Sequence, residues 1–256
     1  MTSLEYVDIP SARERRGTRI VTASGAASPW SEAAKGMFTV AQLPAAVVPR
    51  GPITPEVTAW LGGIDNVPVV LHDDEPPRTN WAAIVGLVAR LAPGVLVPGD
   101  PGERAHLMGL VELVAGEGGL GWTSRLAMIH ASFASEGERS FGLPVAKYLA
   151  KRYGFSRDLS ESELVARVRS QLGILRAELR GPYFGGDRVS ALDLYAATFL
   201  TPLTVIDDTV CPQMIEPIRR AFAAARELLA GEVPQELWAH RAMMFERHLA
   251  LPIRLS

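Results

Sequence analysis

Cysteine is scarce in this sequence of 256 residues, in which Cys211 stands alone. A single cysteine excludes an internal disulfide, so we expect a protein of the reducing cytoplasm. Residues 1–16 mix acidic and basic side chains and lack the apolar core of a secretion signal. No apolar run approaches the roughly 18 residues that a membrane-spanning helix needs, so we expect no membrane partner.

An excess of charge of either sign is also missing. The chain has 26 basic and 28 acidic residues, a net charge of −2 and a pI near 6.2. Such a balance gives no general attraction to nucleic acid, which is therefore not an expected partner. The 5 histidines show no metal-ligand spacing, so no metal site is expected. Cys211 is interpreted as a buried apolar side chain.

One glycine-rich segment resembles a nucleotide-binding motif by letter only. Residues 116–121 read G-E-G-G-L-G, but a helical pattern precedes them. Dinucleotide-binding glycines follow a strand and open a helix. We therefore interpret this segment as a turn between two helices.

The sequence divides at a cluster of proline and glycine between residues 93 and 101, which predicts a linker. Before it, strand and helix patterns alternate, with strands at 18–23, 45–48 and 67–71 and helices at 29–42, 56–61 and 80–91. After it, apolar residues recur at helical spacing and no strand pattern follows residue 100. We predict a small mixed α/β domain over 1–98, with 1–17 as an extension, and an all-α bundle over 99–256.

The strongest candidate for chemistry is a hydroxyl at the start of the first of these helices. Ser28 is a good N-cap, and Pro29 is a good first helical residue. A helix N-terminus combines unpaired N–H groups with a positive dipole end, which suits an anion such as a thiolate. Ordinary capping is the alternative for Ser28, and Ser24 and Ser31 are further candidates.

Three motifs together resemble the cytosolic glutathione S-transferases. Residues 28–31 (S-P-W-S) resemble the active-site turn of the serine-type members, and residues 66–70 (N-V-P-V-V) resemble the strand that begins with a cis-proline. Residues 183–193 (Y-F-G-G-D-R-V-S-A-L-D) resemble a stretch of the helical domain. The resemblance covers roughly 18–235 and points to a bacterial branch. It implies a thioredoxin-like N-terminal domain, an all-α C-terminal domain and a homodimer.

The resemblance implies that Ser28 donates a hydrogen bond to the sulfur of glutathione, the expected co-substrate. A hydrogen bond to a charged group contributes about 1.5–3 kcal/mol, and a helix N-terminus about 0.3–1 kcal/mol. Because one pKa unit is about 1.4 kcal/mol, the thiol pKa is expected to fall by about one to three units. The thiolate would attack a small hydrophobic electrophile beside the helical domain. A non-catalytic ligand- or protein-binding protein, or use of another thiol, is the alternative.

The resemblance also implies where the rest of glutathione binds. Trp30 lies within the active-site turn, and the backbone of Val67, ahead of Pro68, would pair with the cysteinyl part like an added strand. Arg50 follows the second strand and is a candidate for the glycyl carboxylate. At that position, however, we favour a solvated loop arginine over this role.

One position departs from the family pattern. Members usually have an acidic residue followed by serine just before the third helix, where they hold the γ-glutamyl end. Here Thr79 and Asn80 occupy the place. Both can hydrogen-bond a carboxylate and Asn80 is a good N-cap, but the acid that pairs with the ammonium group is missing.

Two further groups of residues receive a structural interpretation. We interpret four residues of the predicted helix after the glycine-rich turn as core and surface positions: Trp122, Arg125, Met128 and His130. The resemblance offers the electrophile pocket as an alternative for them.

Residues 190–193 form a Ser-x-x-Asp capping box at the start of a buried helix over 191–203. Because loss of a cap costs about 0.5–2 kcal/mol, this box is assigned to folding rather than to chemistry.

Overall fold

Residues 4–51 and 54–256 are described by a computed structural model of the protein. In it a four-stranded sheet has the order β1-β3-β2-β4. Strand β3 is parallel to β1 and β2, whereas β4 is antiparallel to β2. The strands are β1 (Glu5–Tyr6), β2 (Thr18–Ala23), β3 (Ala45–Arg50) and β4 (Val69–His72). The three predicted strands are therefore present, with the third beginning two residues later than predicted.

The N-terminal extension is part of the sheet. Strand β1 pairs with β3, and helix α1 (Ile9–Glu14) follows it with Asp8 as its side-chain cap. Residues 1–3 of the predicted extension lie outside the described residues. A strand of two residues carries no hydrophobic period, so the sequence pattern gave no sign of it.

Three helices complete the α/β part, and helices dominate the rest of the chain. The former are α2 (Pro29–Val40), α3 (Pro55–Trp60) and α4 (Trp81–Leu91). The latter are α5 (Pro101–Ala115), α6 (Leu120–Ala134), α7 (Leu143–Arg152), α8 (Glu161–Glu178), α9 (Ala191–Phe199), α10 (Glu216–Leu229) and α11 (Gln235–Arg247). Across residues 4–51 and 54–256, none of the helices combines the length and apolar character that a bilayer crossing requires.

The sheet is covered on both faces because its strands alternate apolar side chains between two clusters. On β2, Ile20 joins the cluster that contains α2 and α4, whereas Val21 joins the cluster that contains α1 and α3. The first cluster continues into the helical part without interruption. The sheet, α2 and the helical bundle are therefore packed as successive layers.

Helix α9 is the centre of the helical part, and a buried carboxylate fixes its start. Asp193 is fully buried and accepts the predicted hydrogen bond from the Ser190 N–H at 2.8 Å. Its carboxylate also accepts hydrogen bonds from the Ser190 hydroxyl at 2.6 Å and from the Phe184 N–H at 3.0 Å. A carboxylate oxygen of Asp193 lies 2.8 Å from His240 Nε2 on α11. One side chain thus connects α9, the preceding loop and α11. The helix itself ends at Phe199, and a separate 3-10 turn covers 201–203.

Replacing Asp193 by asparagine should reduce the free energy of unfolding by about 3 kcal/mol or more, because an amide NH2 would face buried donors. Urea denaturation followed by circular dichroism measures this loss. The exposed Asp187, six residues earlier, is the matched control, and Asp187→Asn should stay within about 0.5 kcal/mol of wild type. Equal stability of the two variants would contradict the role given to Asp193.

Candidate functional site

A cleft of about 560 Å³ opens between the α/β part and the helical part. It brings together every residue that the sequence analysis assigned to the site: Ser28, Trp30, Arg50, Val67, Pro68, Thr79 and Asn80. The helical part supplies the facing wall, formed by Glu112, Glu117, Trp122, Arg125, Tyr148, Arg152 and Tyr153. Residues separated by more than a hundred positions therefore share one solvent-accessible space.

Ser28 is the N-cap of α2, and its hydroxyl is not used for capping. Its carbonyl accepts from the Glu32 N–H at 2.9 Å and starts the helix, yet its side chain makes no cap hydrogen bond. The capping side chains of Thr54 and Asn80, by contrast, accept from their own helices. Within the described residues the half-buried Ser28 hydroxyl is free to meet a ligand in the cleft.

The two other candidate serines are placed differently. Ser24 donates its hydroxyl to the Arg50 carbonyl at 2.6 Å. Ser31 is 1% exposed and lies outside the cleft. Of the three serines, only Ser28 lines the cleft.

Trp30 joins the two parts of the molecule at the floor of the cleft. Its indole Nε1 donates to the Ala115 carbonyl at 3.0 Å, at the end of α5. Its ring meets Phe199 edge-on, with centroids 4.6 Å apart. Because the indole N–H is already used, Trp30 offers a ligand its ring rather than a hydrogen bond.

The backbone ahead of β4 lies along the cleft. The Val67–Pro68 peptide bond is cis. The ladder between β2 and β4 begins only at Val69. The N–H and C=O of Val67 therefore lie outside that ladder, at the edge where an extended ligand would add.

Thr79 and Asn80 form the N-terminal end of α4 beside the cleft. The Asn80 side-chain oxygen accepts from the Ala83 N–H at 2.8 Å, as expected for the N-cap. The Asn66 amide donates to the Thr79 hydroxyl at 3.5 Å. This end of the cleft offers a helix N-terminus and the Asn80 NH2 group, both donors suited to a carboxylate.

Arg50 is the last residue of β3 and is half-buried, so the solvated-loop interpretation is wrong. Its guanidinium donates to the Asp65 carbonyl at 2.5 Å. Burial lowers the pKa of Arg50 from its ordinary value, and Tyr148 and Asp65 partly offset this effect. An arginine remains cationic under this shift, so Arg50 contributes positive charge to the cleft.

The interpretation of Trp122 and Arg125 as plain core and surface residues is also wrong, because both line the cleft from α6. Their spacing of three places them on one face of the helix. Met128 is buried in the core, as interpreted. His130 lies outside the cleft, with its ring 3.8 Å from Glu161.

Other cleft residues carry no local sequence signal. Arg152 on α7 donates to the Tyr148 hydroxyl at 3.1 Å and lies 3.6 Å from the Asp65 carboxylate. The ion pair between Arg152 and Asp65 connects the helical part to the loop before β4. Only tertiary packing brings these two residues together.

The remaining sequence signals have structural roles. The glycine-rich segment is the turn between α5 and α6, and Gly118 has a φ of 73° there. Cys211 is fully buried, and burial raises the pKa of its thiol. In the described part of the chain, no three His, Cys, Asp or Glu side chains come together in a metal-binding arrangement.

Solved structures of glutathione transferases have the same fold as this chain. One from Pseudomonas putida, with one glutathione disulfide bound per subunit, is 15% identical (TM-score 0.63) and covers 96% of this chain and 100% of its own. A glutathione S-transferase domain-containing protein from Marinobacter aquaeolei VT8 is 18% identical with a TM-score of 0.63, and the match covers 91% of this chain and 100% of that protein. A glutathione transferase family member from Pseudomonas fluorescens pf-5, with two glutathione bound, is 15% identical with a TM-score of 0.62, and the match covers 91% of this chain and 89% of that protein.

The sequence itself matches no protein-family model and no curated protein. The structural likeness confirms the predicted fold, which is a thioredoxin-like α/β domain followed by an all-α domain. At this level of identity the likeness concerns the fold alone. The chemistry of the cleft has to be argued from its own residues.

Gly121 on α6 tests how tightly the cleft floor is packed. A Cβ there would lie 2.1 Å from the Phe199 ring and 3.1 Å from Trp30, so Gly121→Ala should destabilise the protein by about 1–3 kcal/mol. Gly109 on α5 has open space at its Cβ, and Gly109→Ala should add about 0.5–1 kcal/mol. Urea denaturation of both variants measures the difference, and similar stabilities would refute this packing.

Proposed function

We propose that this chain, which has the fold of the glutathione S-transferases, uses Ser28 to activate the thiol of glutathione for attack on a small electrophile. The observation that carries this proposal is the hydroxyl of Ser28, which is not used for capping although the residue lines the cleft at the N-terminus of α2. The peptide edge at Val67 and the donors at Asn80 lie in the same cleft. Fold neighbours that hold glutathione or its disulfide support the choice of ligand.

In this proposal Ser28 acts as a hydrogen-bond donor and not as a base. The first turn of α2 adds unpaired backbone N–H groups and the positive end of the helix dipole. Together they stabilise a thiolate relative to the thiol, which releases its proton to solvent. The sulfur then forms a bond to the electrophilic carbon, and the leaving group departs with the electrons of the bond that breaks.

The remaining parts of glutathione find complementary groups along the cleft. The cysteinyl backbone would pair with the N–H and C=O of Val67 as an added strand. The γ-glutamyl carboxylate suits the N-terminal end of α4 and the Asn80 NH2 group. The glycyl carboxylate suits Arg50. The exposed carboxylate of Glu112, on the facing wall, is a candidate for the ammonium group in place of the acid missing at Thr79.

A second candidate function is binding without catalysis, or use of a thiol other than glutathione. The observation that favours it is Thr79, which stands where an acidic residue would meet the γ-glutamyl ammonium. A ligand without that ammonium group would not need the acid. Ligand affinity and turnover distinguish the two candidates.

We also propose that the protein is a cytoplasmic homodimer, divided into domains at 1–98 and 99–256. Support for an interface comes from a groove of about 340 Å³ between α4 and α5. The groove is lined by the apolar residues Val85, Ala89 and Met108 and by Arg90 and Arg104. Apolar surface with a charged border is typical of a protein interface.

Calorimetric titration at pH 7.5 tests the proposed ligand. Glutathione should bind in the micromolar to low millimolar range, and Asn80→Ala should weaken this binding by about tenfold through loss of charge-assisted hydrogen bonding. No binding up to about 10 mM, a free energy of only about −3 kcal/mol, would remove glutathione from this proposal.

Turnover with glutathione and an aryl chloride tests Ser28. Ser28→Ala should lower kcat by about 10- to 100-fold, because the thiolate loses its hydrogen-bond donor. Ser24→Ala is the matched control, since its hydroxyl already donates to Arg50. Unchanged kcat in Ser28→Ala, or an equal loss in both variants, would contradict the serine mechanism.

Light scattering at micromolar concentration tests the homodimer. The expected mass is twice the 27.6 kDa of the chain. Met108→Glu should shift the protein toward monomer, because it places a charge in the apolar groove. A single monomeric mass for the wild-type protein would refute the dimer.

A further inference from the structure

Arg125 is a cation of the cleft that lacks an acceptor. It is half-buried on α6, and its guanidinium lies over the rings of Phe141 (5.2 Å) and Tyr153 (6.0 Å). Among residues 4–51 and 54–256, no hydrogen-bond acceptor or carboxylate pairs with it. The two rings fix the position of the charge without neutralising it.

The other two arginines of the cleft are already engaged. Arg50 donates to the Asp65 carbonyl at 2.5 Å. Arg152 donates to the Tyr148 hydroxyl at 3.1 Å and lies 3.6 Å from the Asp65 carboxylate. Arg125 differs from them in that none of its donors has a hydrogen-bond partner among the described residues, whereas Arg50 and Arg152 each use part of their guanidinium group.

An aromatic surface lies next to this cation. Trp122 stands one helical turn before Arg125, and its ring lies 4.6 Å from that of Tyr153. The Trp122 indole N–H donates to the Tyr153 carbonyl at 3.1 Å, which fixes the ring. A flat apolar side chain and a guanidinium without an acceptor thus line the helical side of the same cleft that Ser28 lines.

We infer that the second substrate is a planar electrophile that carries a carboxylate. Its carboxylate accepts two parallel hydrogen bonds from Arg125, and its ring lies against Trp122. The inference rests on the proposed function, and it replaces the neutral hydrophobic electrophile with an anionic one. The glutathione sulfur forms a bond to the electrophilic carbon, the leaving group departs as an anion with its bonding electrons, and the thiol proton goes to solvent.

Two aryl chlorides that differ by one carboxylate test the inference. They are 4-chloro-3,5-dinitrobenzoate and the neutral 1-chloro-2,6-dinitrobenzene. Arg125→Gln should lower kcat/KM for the benzoate by about 10- to 100-fold and change the value for the neutral chloride by no more than about threefold. Arg125→Lys keeps the charge but loses the planar fork, so its effect on the benzoate should be smaller.

Arg167→Gln is the matched control, because Arg167 is exposed on α8 and lies outside the cleft. It removes the same charge and should leave both kcat/KM values unchanged. A loss shared equally by the two substrates in Arg125→Gln, or an unchanged value for the benzoate, would overturn the inference. If Arg125→Gln does not fold, a selective loss for the benzoate in Arg125→Lys supports the inference and an unselective one overturns it.

Binding of unreactive 3,5-dinitrobenzoate separates this inference from the transfer chemistry. Calorimetry should show binding to the wild-type protein and at least about tenfold weaker binding to Arg125→Gln. If neither chloride is turned over but this difference is seen, the transferase proposal fails and the anion site stands. If the wild-type protein does not bind the dinitrobenzoate, or the variant binds it equally well, the anion site is refuted.

Discussion

The close packing of α2 against α9 is the contact on which the rest of the structure depends. Helix α2 is buried on nearly all sides, and its small residues Ala33, Ala34 and Gly36 permit this approach. A Cβ at Gly36 would lie 3.3 Å from Leu194 on α9 and 2.7 Å from Leu249. Because this packing holds α2 in place, Ser28 at its N-terminus is kept at the cleft. The hydrogen bonds of Asp193 hold the N-terminus of α9.

Some polar groups in the structure hold the fold, whereas others line the cleft. Lys35 on α2 pairs with Glu32 at 2.8 Å and donates to the Arg254 carbonyl at 2.8 Å, tying the C-terminal tail to the helix. Burial raises the pKa of Glu32, and Lys35 partly offsets this effect. The Ser28 hydroxyl and the Arg125 guanidinium are different, because neither has a hydrogen-bond or ion-pair partner within the described residues. Unsatisfied polar groups in a concave site are what a ligand would satisfy.

Local signals were sufficient for much of the fold. Apolar periodicity located β2 and α4, and short-range capping chemistry located the starts of α2, α4 and α9, because each depends on neighbours within a few residues. The sequence motifs also led to the residues on the α/β side of the cleft. The contribution of Asp193 beyond its cap, a hydrogen bond to His240 on another helix, has no local signature.

The residues of the facing wall of the cleft could not be fixed from local signals, for the same reason. Whether Trp122 and Arg125 face the core, the solvent or the cleft depends on how α6 packs against α7, which a helical period does not determine. The pair of Arg152 with Asp65 joins two parts of the chain that are far apart in sequence. Strand β1 is only two residues long and carries no period at all.

The ionisation of the bound thiol is the most direct test of the central claim, which is that Ser28 activates glutathione. Ultraviolet absorbance of the thiolate, followed against pH at saturating protein, gives the pKa of the bound thiol. In the wild-type protein the pKa of the bound thiol should lie about one to three units below that of free glutathione. In Ser28→Ala this pKa should return most of the way to the value of free glutathione. An identical pKa in the two proteins would contradict the account.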